Sequence, residues 1–347
     1  MKIKIGPKTI SDTSPVFIIA EAGVNHNGSF KLAKKLIDVA AQAGADAVKF
    51  QTFNPDTLVT KTATQASYQT KNIGKTSQYA MLKSLMLPRE WHRDLKKYAE
   101  KKRLVFLSTP FSLDDAVFLK KLGVHAIKIG SSDTDNLPYL TKIAKWNIPM
   151  VMSTGMSDLE EVRESVKAIL RAGNNKLIIL HCISNYPTKH EEVNLKAIAT
   201  LQKEFGLITG LSEHTTGIEV PIAAVALGAK VIEKHFTLDK NSSGPDHAIS
   251  LEPNELKQMV ISIRNIEKAM GDGIKTPRPS EIKMSQIARK SIVATKNIKQ
   301  GRLITANDIS VKRPGGGLSP KYYLRIIGTK ATKDITADTL LKLTDYE

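Results

Sequence analysis

A single cysteine, Cys182, stands in 347 residues, so the chain can form no disulfide with itself, which fits a reducing compartment. Aromatic residues are scarce, at 5%. No apolar run approaches the roughly 18 residues of a membrane span. The opening Met1-Lys2-Ile3-Lys4-Ile5-Gly6 lacks the apolar core of an export signal. Together these absences predict a cytoplasmic protein with no membrane partner. Acidic residues are also short, 34 Asp and Glu against 51 Lys and Arg, a net charge of +17. Such an excess raises nucleic acid as a ligand. The lysines argue otherwise. They fall singly or in pairs among acids (Lys31, Lys34, Lys35; Lys96, Lys97, Lys101, Lys102), and no aromatic stacking platform accompanies them. Most of the charge reads as solvated surface, with a minority serving an anionic substrate, and no nucleic-acid partner is expected.

What is present is a series of β-like runs, rich in Val, Ile, Leu and Phe, alternating with helical ones. The strands are expected at Val16–Ala20, Ala47–Phe50, Val105–Ser108, Ala126–Ile129, Met150–Ser153, Leu177–His181, Leu207–Leu211 and Val231–His235. They lack clean polar alternation, as strands covered on both faces do. Helical spacing marks Phe30–Ala43, Glu90–Lys102, Leu159–Ala172, Leu195–Phe205 and Glu255–Met270. Eight such strands with intervening helices predict a (β/α)8 TIM barrel.

The strand ends carry the chemistry. His214 and His235 each follow a strand and are separated by one helix length, so adjacent barrel strands would bring both imidazoles within reach of one divalent metal; the plain alternative is two unrelated histidines. Lys49 and Lys128 sit inside apolar strands and must find an anion, because an unpaired buried ammonium is very costly. That anion is either a substrate or a protein carboxylate such as Glu21 or Asp133. The long connection from Thr52 to Arg103 has the length of a loop that covers the barrel mouth.

Turn formers at both ends of Gly271-Asp272-Gly273-Ile274-Lys275-Thr276-Pro277-Arg278-Pro279-Ser280 read as a linker. Short β-like runs follow, among them Ser291–Ala294 and Ile309–Val311. The expected organisation is a barrel over 1–271, a linker over 272–285, and a small β-rich domain over 286–347. The tail from Lys283 onward holds thirteen Lys and Arg against five Asp and Glu.

The motifs resemble one family along nearly the whole chain. Phe17-Ile18-Ile19-Ala20-Glu21-Ala22-Gly23-Val24-Asn25-His26-Asn27-Gly28, Val48-Lys49-Phe50-Gln51-Thr52, Leu107-Ser108-Thr109-Pro110-Phe111, Ser153-Thr154-Gly155-Met156, His181-Cys182 with Tyr186-Pro187-Thr188, Gly210-Leu211-Ser212-Glu213-His214-Thr215, Ile232-Glu233-Lys234-His235 and Ser243-Gly244-Pro245-Asp246-His247 resemble the sialic acid synthases. Lys312-Arg313-Pro314-Gly315 resembles the signature of their C-terminal antifreeze-like (SAF, β-clip) domain.

That resemblance implies a metal-dependent, carbon–carbon bond-forming transferase that condenses phosphoenolpyruvate with an N-acylated amino sugar. N-acetylmannosamine, giving N-acetylneuraminate, is the first expectation. A 2,4-diacetamido-6-deoxy-hexose, giving legionaminate or pseudaminate, is the alternative, and an inactive anion-binding protein is the reading from another class. The implied metal is Mn²⁺, with Mg²⁺ or Co²⁺ open, on His214 and His235. The resemblance assigns Lys49, Thr109, Lys128, Ser131, Ser153 and Ser212 to phosphoenolpyruvate. It assigns Gln51, Asp133, Tyr186, Asp246 and Arg313 to the sugar, and Glu21, Lys49 and Lys128 to catalysis. Arg313 would come from the partner in a homodimer with swapped antifreeze-like domains. His26, His181 and Cys182 are read as supporting or packed residues. Two positions depart from the family pattern. Ser132-Asp133 stands where Gly-Glu is usual, and Glu213 stands where an aspartate precedes the metal histidine. Both bear on the sugar's identity more than on the reaction.

Overall fold

The chain opens with a two-stranded antiparallel hairpin, β1 (Lys2–Ile5) and β2 (Lys8–Ser11), an element the eight expected strands do not include. The computed structural model describes residues 1–347. Eight parallel strands follow: β3 (Phe17–Gly23), β4 (Ala47–Thr52), β5 (Val105–Pro110), β6 (Ile127–Ile129), β7 (Met150–Ser153), β8 (Leu177–Cys182), β9 (Ile208–Glu213) and β10 (Val231–His235). Their order is β5-β4-β3-β10-β9-β8-β7-β6. The end strands β5 and β6 lie side by side without a hydrogen-bonded ladder, so the barrel is nearly closed and the expected TIM fold holds.

Helices α1 (Phe30–Ala43), α2 (Pro55–Leu58), α3 (Ser67–Ile73), α4 (Gln78–Leu85), α5 (Arg89–Lys101), α6 (Leu113–Leu122), α7 (Leu137–Ala144), α8 (Leu159–Arg171), α9 (Ala197–Phe205), α10 (Glu219–Ala226) and α11 (Pro253–Ala269) occupy the connections. In α1, Ser29 caps the start by accepting from Leu32 N at 3.3 Å, and Gly44, at φ 83°, ends the helix in the left-handed region that favours glycine. Its buried residues Ala33, Leu36, Ile37, Ala40 and Ala43 recur at three- and four-residue spacing and form one stripe against the sheet. The long connection after β4 forms α2, α3 and α4 before α5.

Strand parity sorts the core into two layers. Ile18, Ala20, Val48, Phe50, Phe106, Ile127, Ile129, Met150, Met152, Ile179 and Ile232 pack with the helices. The alternate positions Phe17, Ile19, Ala47, Val105, Leu107, Val151, Ile178, Leu180, Ile208 and Val231 fill the barrel axis, and Ile3, Ile5 and Ile10 of the hairpin join them. The hairpin therefore plugs one end of the barrel with apolar side chains. Gly210 is required in this layer, because a Cβ there would stand 2.2 Å from the Val231 carbonyl oxygen.

The chain divides into two compact units, Met1–Gly271 and Asp272–Glu347. The second begins with helix α12 (Pro279–Ala288), which runs through part of the stretch read as linker and buries none of its own residues. Strands β11 (Ser291–Ala294) and β12 (Ile309–Lys312) pair antiparallel. Ile292, Ala294, Ile298, Ile304, Ile309, Leu318, Ile326 and Leu341 form this unit's own core. No helix is long and apolar enough to cross a membrane.

Candidate active site

The parity that fills the barrel axis with apolar groups continues to the C-terminal strand ends, where the inward positions become polar. There Lys49 Nζ lies 3.1 Å from Glu21 Oε2 and 3.6 Å from Glu233 Oε1, and donates to Thr109 Oγ1 at 2.9 Å. Lys128 Nζ donates to Ser153 Oγ at 2.6 Å and lies 3.7 Å from Glu233 Oε1. Ser212 Oγ donates to the same Glu233 oxygen at 2.9 Å. Seven strands thus deliver one connected cluster of side chains, each no more than 5% exposed. The anion demanded by the buried lysines is in this structure a pair of protein carboxylates. Glu21 is one of the two partners that the sequence allowed. Asp133 is not the other: it sits on the turn after β6 and accepts from Asn136 at 3.0 Å.

Glu233 is the residue that sequence reading missed. Its signal was available, since Val231, Glu233 and His235 share one parity on β10 and hence one face. Its neighbours Glu213 and Lys234 have the opposite parity and form a buried ion pair with each other, so the glutamate preceding His214 is a packing element here.

Electrostatics separate the four charged groups. Burial, offset only in part by Lys49, pushes the Glu21 carboxyl up to about 7. Burial alone would also raise Glu233, but Lys128 and Lys49 outweigh it and hold that carboxyl below its ordinary value. Burial lowers Lys128, whereas Lys49 is raised because Glu21 and Glu233 outweigh its burial.

Beside this cluster the imidazole centroids of His214 and His235 lie 5.4 Å apart. His214 Nδ1 donates to the Ile183 carbonyl at 2.8 Å, which leaves Nε2 as the lone-pair nitrogen. His235 Nδ1 is buried without a partner. Burial and the neighbouring His214 hold His235 well below its ordinary value, in the neutral form that ligates. Burial acts the same way on His214, but Cys182 and the Ile183 carbonyl outweigh it and raise the ring. No group of three or more His, Cys, Asp and Glu side chains is arranged to hold a metal ion. Two imidazoles leave the other positions of an octahedral cation to waters and substrate oxygens, so the donor set fits a divalent transition-metal ion.

Tyr186 covers the histidines, its ring 4.1 Å from that of His214 and 6.0 Å from that of His235. Tyr68 of α3 stacks on Tyr186 at 5.2 Å. Tyr68 was not anticipated, because nothing in a sequence marks which loop residue will meet another 118 positions away. A cavity of about 480 Å³ beside the stack is lined by Tyr68, Lys71, Asn72, Tyr186, Pro187 and Ile249. Asp246 is buried nearby, and burial, countered by His214, raises it to about 6.

The remaining assigned residues are less tightly joined. Ser131 Oγ accepts from Gly155 N at 2.9 Å. Gln51 stands half-buried opposite Thr109 at the end of β4. Arg313 is exposed after β12 of the second unit. Among the supporting residues, His181 Nε2 is 2.7 Å from the Val193 carbonyl and Cys182 Sγ is 3.9 Å from His214 Nδ1.

Residues 36–275 match the NeuB family and residues 289–347 match the SAF domain. N,N'-diacetyllegionaminic acid synthase of Campylobacter jejuni is 48% identical over 328 residues, covering 94% of this chain and 98% of that one. N-acetylneuraminate-9-phosphate synthase of Homo sapiens is 37% identical over 326 residues, covering 93% and 90%. The crystal structure of spore coat polysaccharide biosynthesis protein SpsE from Bacillus subtilis superposes with a TM-score of 0.69 at 36% identity, covering 100% and 99% of the two chains. The chain belongs to the NeuB family and ends in an SAF domain.

Proposed function

We propose that the chain is a phosphoenolpyruvate-dependent nonulosonic acid synthase whose acceptor is a 2,4-diacetamido-6-deoxy-hexose, giving a legionaminate-type nine-carbon 2-keto acid and phosphate. The observation that carries the reaction class is the cluster at the strand ends. Two buried lysines and three hydroxyls converge beside a pair of metal-competent imidazoles, which is what a small, multiply charged anion and an aldehyde oxygen require. The acceptor rests on the margin between 48% identity to the diacetyllegionaminic acid synthase and 37% to the N-acetylneuraminate-9-phosphate synthase. N-acetylmannosamine, the first expectation from sequence, is kept as the second reading on the strength of the likeness to the N-acetylneuraminic acid synthetase of Leptospira borgpetersenii, 35% identical with a TM-score of 0.72 over 82% of this chain and 95% of that one.

Lys49 and Lys128 bind the anionic groups of phosphoenolpyruvate, while Thr109, Ser131, Ser153 and Ser212 serve as neutral donors. This fixes carbon 3 of the enol against the acceptor's aldehyde carbon. Bound at His214 and His235, a divalent ion, Mn²⁺ first, supplies Lewis-acid polarisation of the aldehyde oxygen. Carbon 3 forms the new bond to the aldehyde carbon. Water then adds at carbon 2, and the tetrahedral centre loses phosphate with cleavage of its carbon–oxygen bond. Glu21, beside Lys49, is the group that exchanges protons with these oxygens. Gln51, Asp133, Tyr186 and Asp246 orient the sugar. The reaction is placed in the cytoplasm, in keeping with the single cysteine of the chain.

The protein works as a homodimer with exchanged SAF domains, in which Arg313 serves the barrel of a second copy. In support, α12 exposes Ile282, Met284 and Ile287 at 53%, 58% and 65%, an apolar surface suited to a partner.

The test is phosphate release from phosphoenolpyruvate with Mn²⁺, offering the diacetamido sugars and N-acetylmannosamine side by side. Turnover with a diacetamido sugar is expected. Turnover with N-acetylmannosamine alone would move the assignment to the second reading, and silence with every acceptor would leave an anion-binding protein.

A further inference from the structure

The donors assigned to phosphoenolpyruvate already converge on an anion, and that anion belongs to the protein. Glu233 Oε1 accepts from Ser212 Oγ at 2.9 Å and lies 3.6 Å from Lys49 Nζ and 3.7 Å from Lys128 Nζ. Lys49, Lys128 and Ser212 come from β4, from β6 and from β9, so no local motif joins them. Glu233 is the point at which they meet.

We propose that Glu233 is a resident counter-anion that holds these three donors converged and that phosphoenolpyruvate must displace from them on binding, which makes it the positioning residue that sets affinity for that substrate. The inference rests on the functional reading above. Its second support is the state of the other carboxylate oxygen. Glu233 Oε2 is buried with no hydrogen-bond partner, whereas a carboxylate kept only for packing would have both oxygens satisfied. Its third support is charge. Lys49 and Lys128 face two carboxyl groups, Glu21 and Glu233, and of the two only Glu233 lies within 4 Å of both lysines. A multiply charged anion cannot share the same three donors with Glu233, because like charges at hydrogen-bonding distance repel strongly. Glu233 must surrender Ser212 and at least one lysine. Phosphoenolpyruvate therefore binds for the difference between two anions, and tight binding is sacrificed for lysines that are paired and placed in advance.

Removing the resident charge while keeping its shape should strengthen binding. Glu233→Gln can still accept from Ser212 but does not hold the lysines. Calorimetric titration of the full-length protein with phosphoenolpyruvate should give a Kd at least about tenfold lower than that of the parent, with thermal melts reporting whether the variant is folded. Glu233→Asp keeps the charge and retracts it by one methylene. It should fall between the two, and it carries the test alone if the glutamine variant does not fold. A role confined to packing would weaken binding in both variants. An unchanged or higher Kd in the folded variants overturns the proposal. Absence of phosphoenolpyruvate binding to the parent would instead sink the functional reading on which the proposal stands.

Discussion

Replacing Lys49 with methionine tests whether the cluster is held by charge. Lys49 is 3% exposed, with Glu21 at 3.1 Å and Glu233 at 3.6 Å. At an effective dielectric of about 20, each attraction to an ionised carboxylate is worth about 5 kcal/mol; Glu21, pushed up to about 7, is ionised only part of the time at neutral pH, and desolvation consumes most of the sum. Deleting the cation leaves the carboxylates desolvated without their shared partner. That loss is about 3–5 kcal/mol in comparable buried pairs, a large part of a barrel's total stability. Equilibrium denaturation followed by circular dichroism should show it at neutral pH. The double variant Lys49→Met, Glu21→Gln should recover part of the loss, because one orphaned charge is gone, giving a coupling of at least about 1 kcal/mol in a double-mutant cycle. Phosphoenolpyruvate affinity should fall about a hundredfold or more in both, since losing one charged contact of this kind costs about 3 kcal/mol. A single variant within about 1 kcal/mol of the parent, with no coupling to Glu21, would refute the claim that the lysine is a desolvated ion.

Three further outcomes are expected. Calorimetric titration with Mn²⁺ should show one site that is lost in His214→Ala and in His235→Ala, and chelation should abolish turnover with rescue on adding Mn²⁺; metal binding unchanged in both variants would remove the imidazoles from the metal role. Arg313→Ala should raise KM for the sugar at least about tenfold and KM for phosphoenolpyruvate less than about twofold, as loss of one charge-assisted hydrogen bond to the acyl group predicts; equal losses would place Arg313 elsewhere. Asp308 anchors the second unit by accepting from Thr305 N at 2.7 Å and Thr305 Oγ1 at 2.6 Å, with Lys296 at 3.0 Å. These contacts outweigh its burial and hold the carboxyl down at about 2, so its stabilisation is present above the ordinary carboxylate range and is lost as pH falls through about 2. Asp308 has no exposed surface but lies in a small unit with little protein around it, so solvent screening cuts the value to about 1 kcal/mol. Asp308→Asn should melt lower at pH 7, and the gap should close towards pH 2; a gap independent of pH would mean lost packing instead.

The fold was legible wherever one period ran long enough to show. The eight barrel strands are buried on both faces and read as continuous apolar runs, and α1 lies where its three- and four-residue spacing puts it. The hairpin was legible too, since Lys2-Ile3-Lys4-Ile5 alternates and Gly6-Pro7 turns, but four residues are too few for a period to stand out from chance. Helix α12 was hidden for the opposite reason. It buries nothing, so it has no stripe to read, and only Pro279 at its start and Glu281 two residues on marked it. At the site, sequence named the cations and left their counter-anion open between substrate and protein. A strand pattern says which residues share a face, but not which side chains on seven different strands will meet at one oxygen. That meeting follows from barrel closure, and it is the reason Glu233 came to light only in three dimensions. Parity narrows the search: once His235 is taken as inward, Glu233 must be inward as well. A carboxylate on that face, among strands that also send in two lysines, then has few places to be except between them.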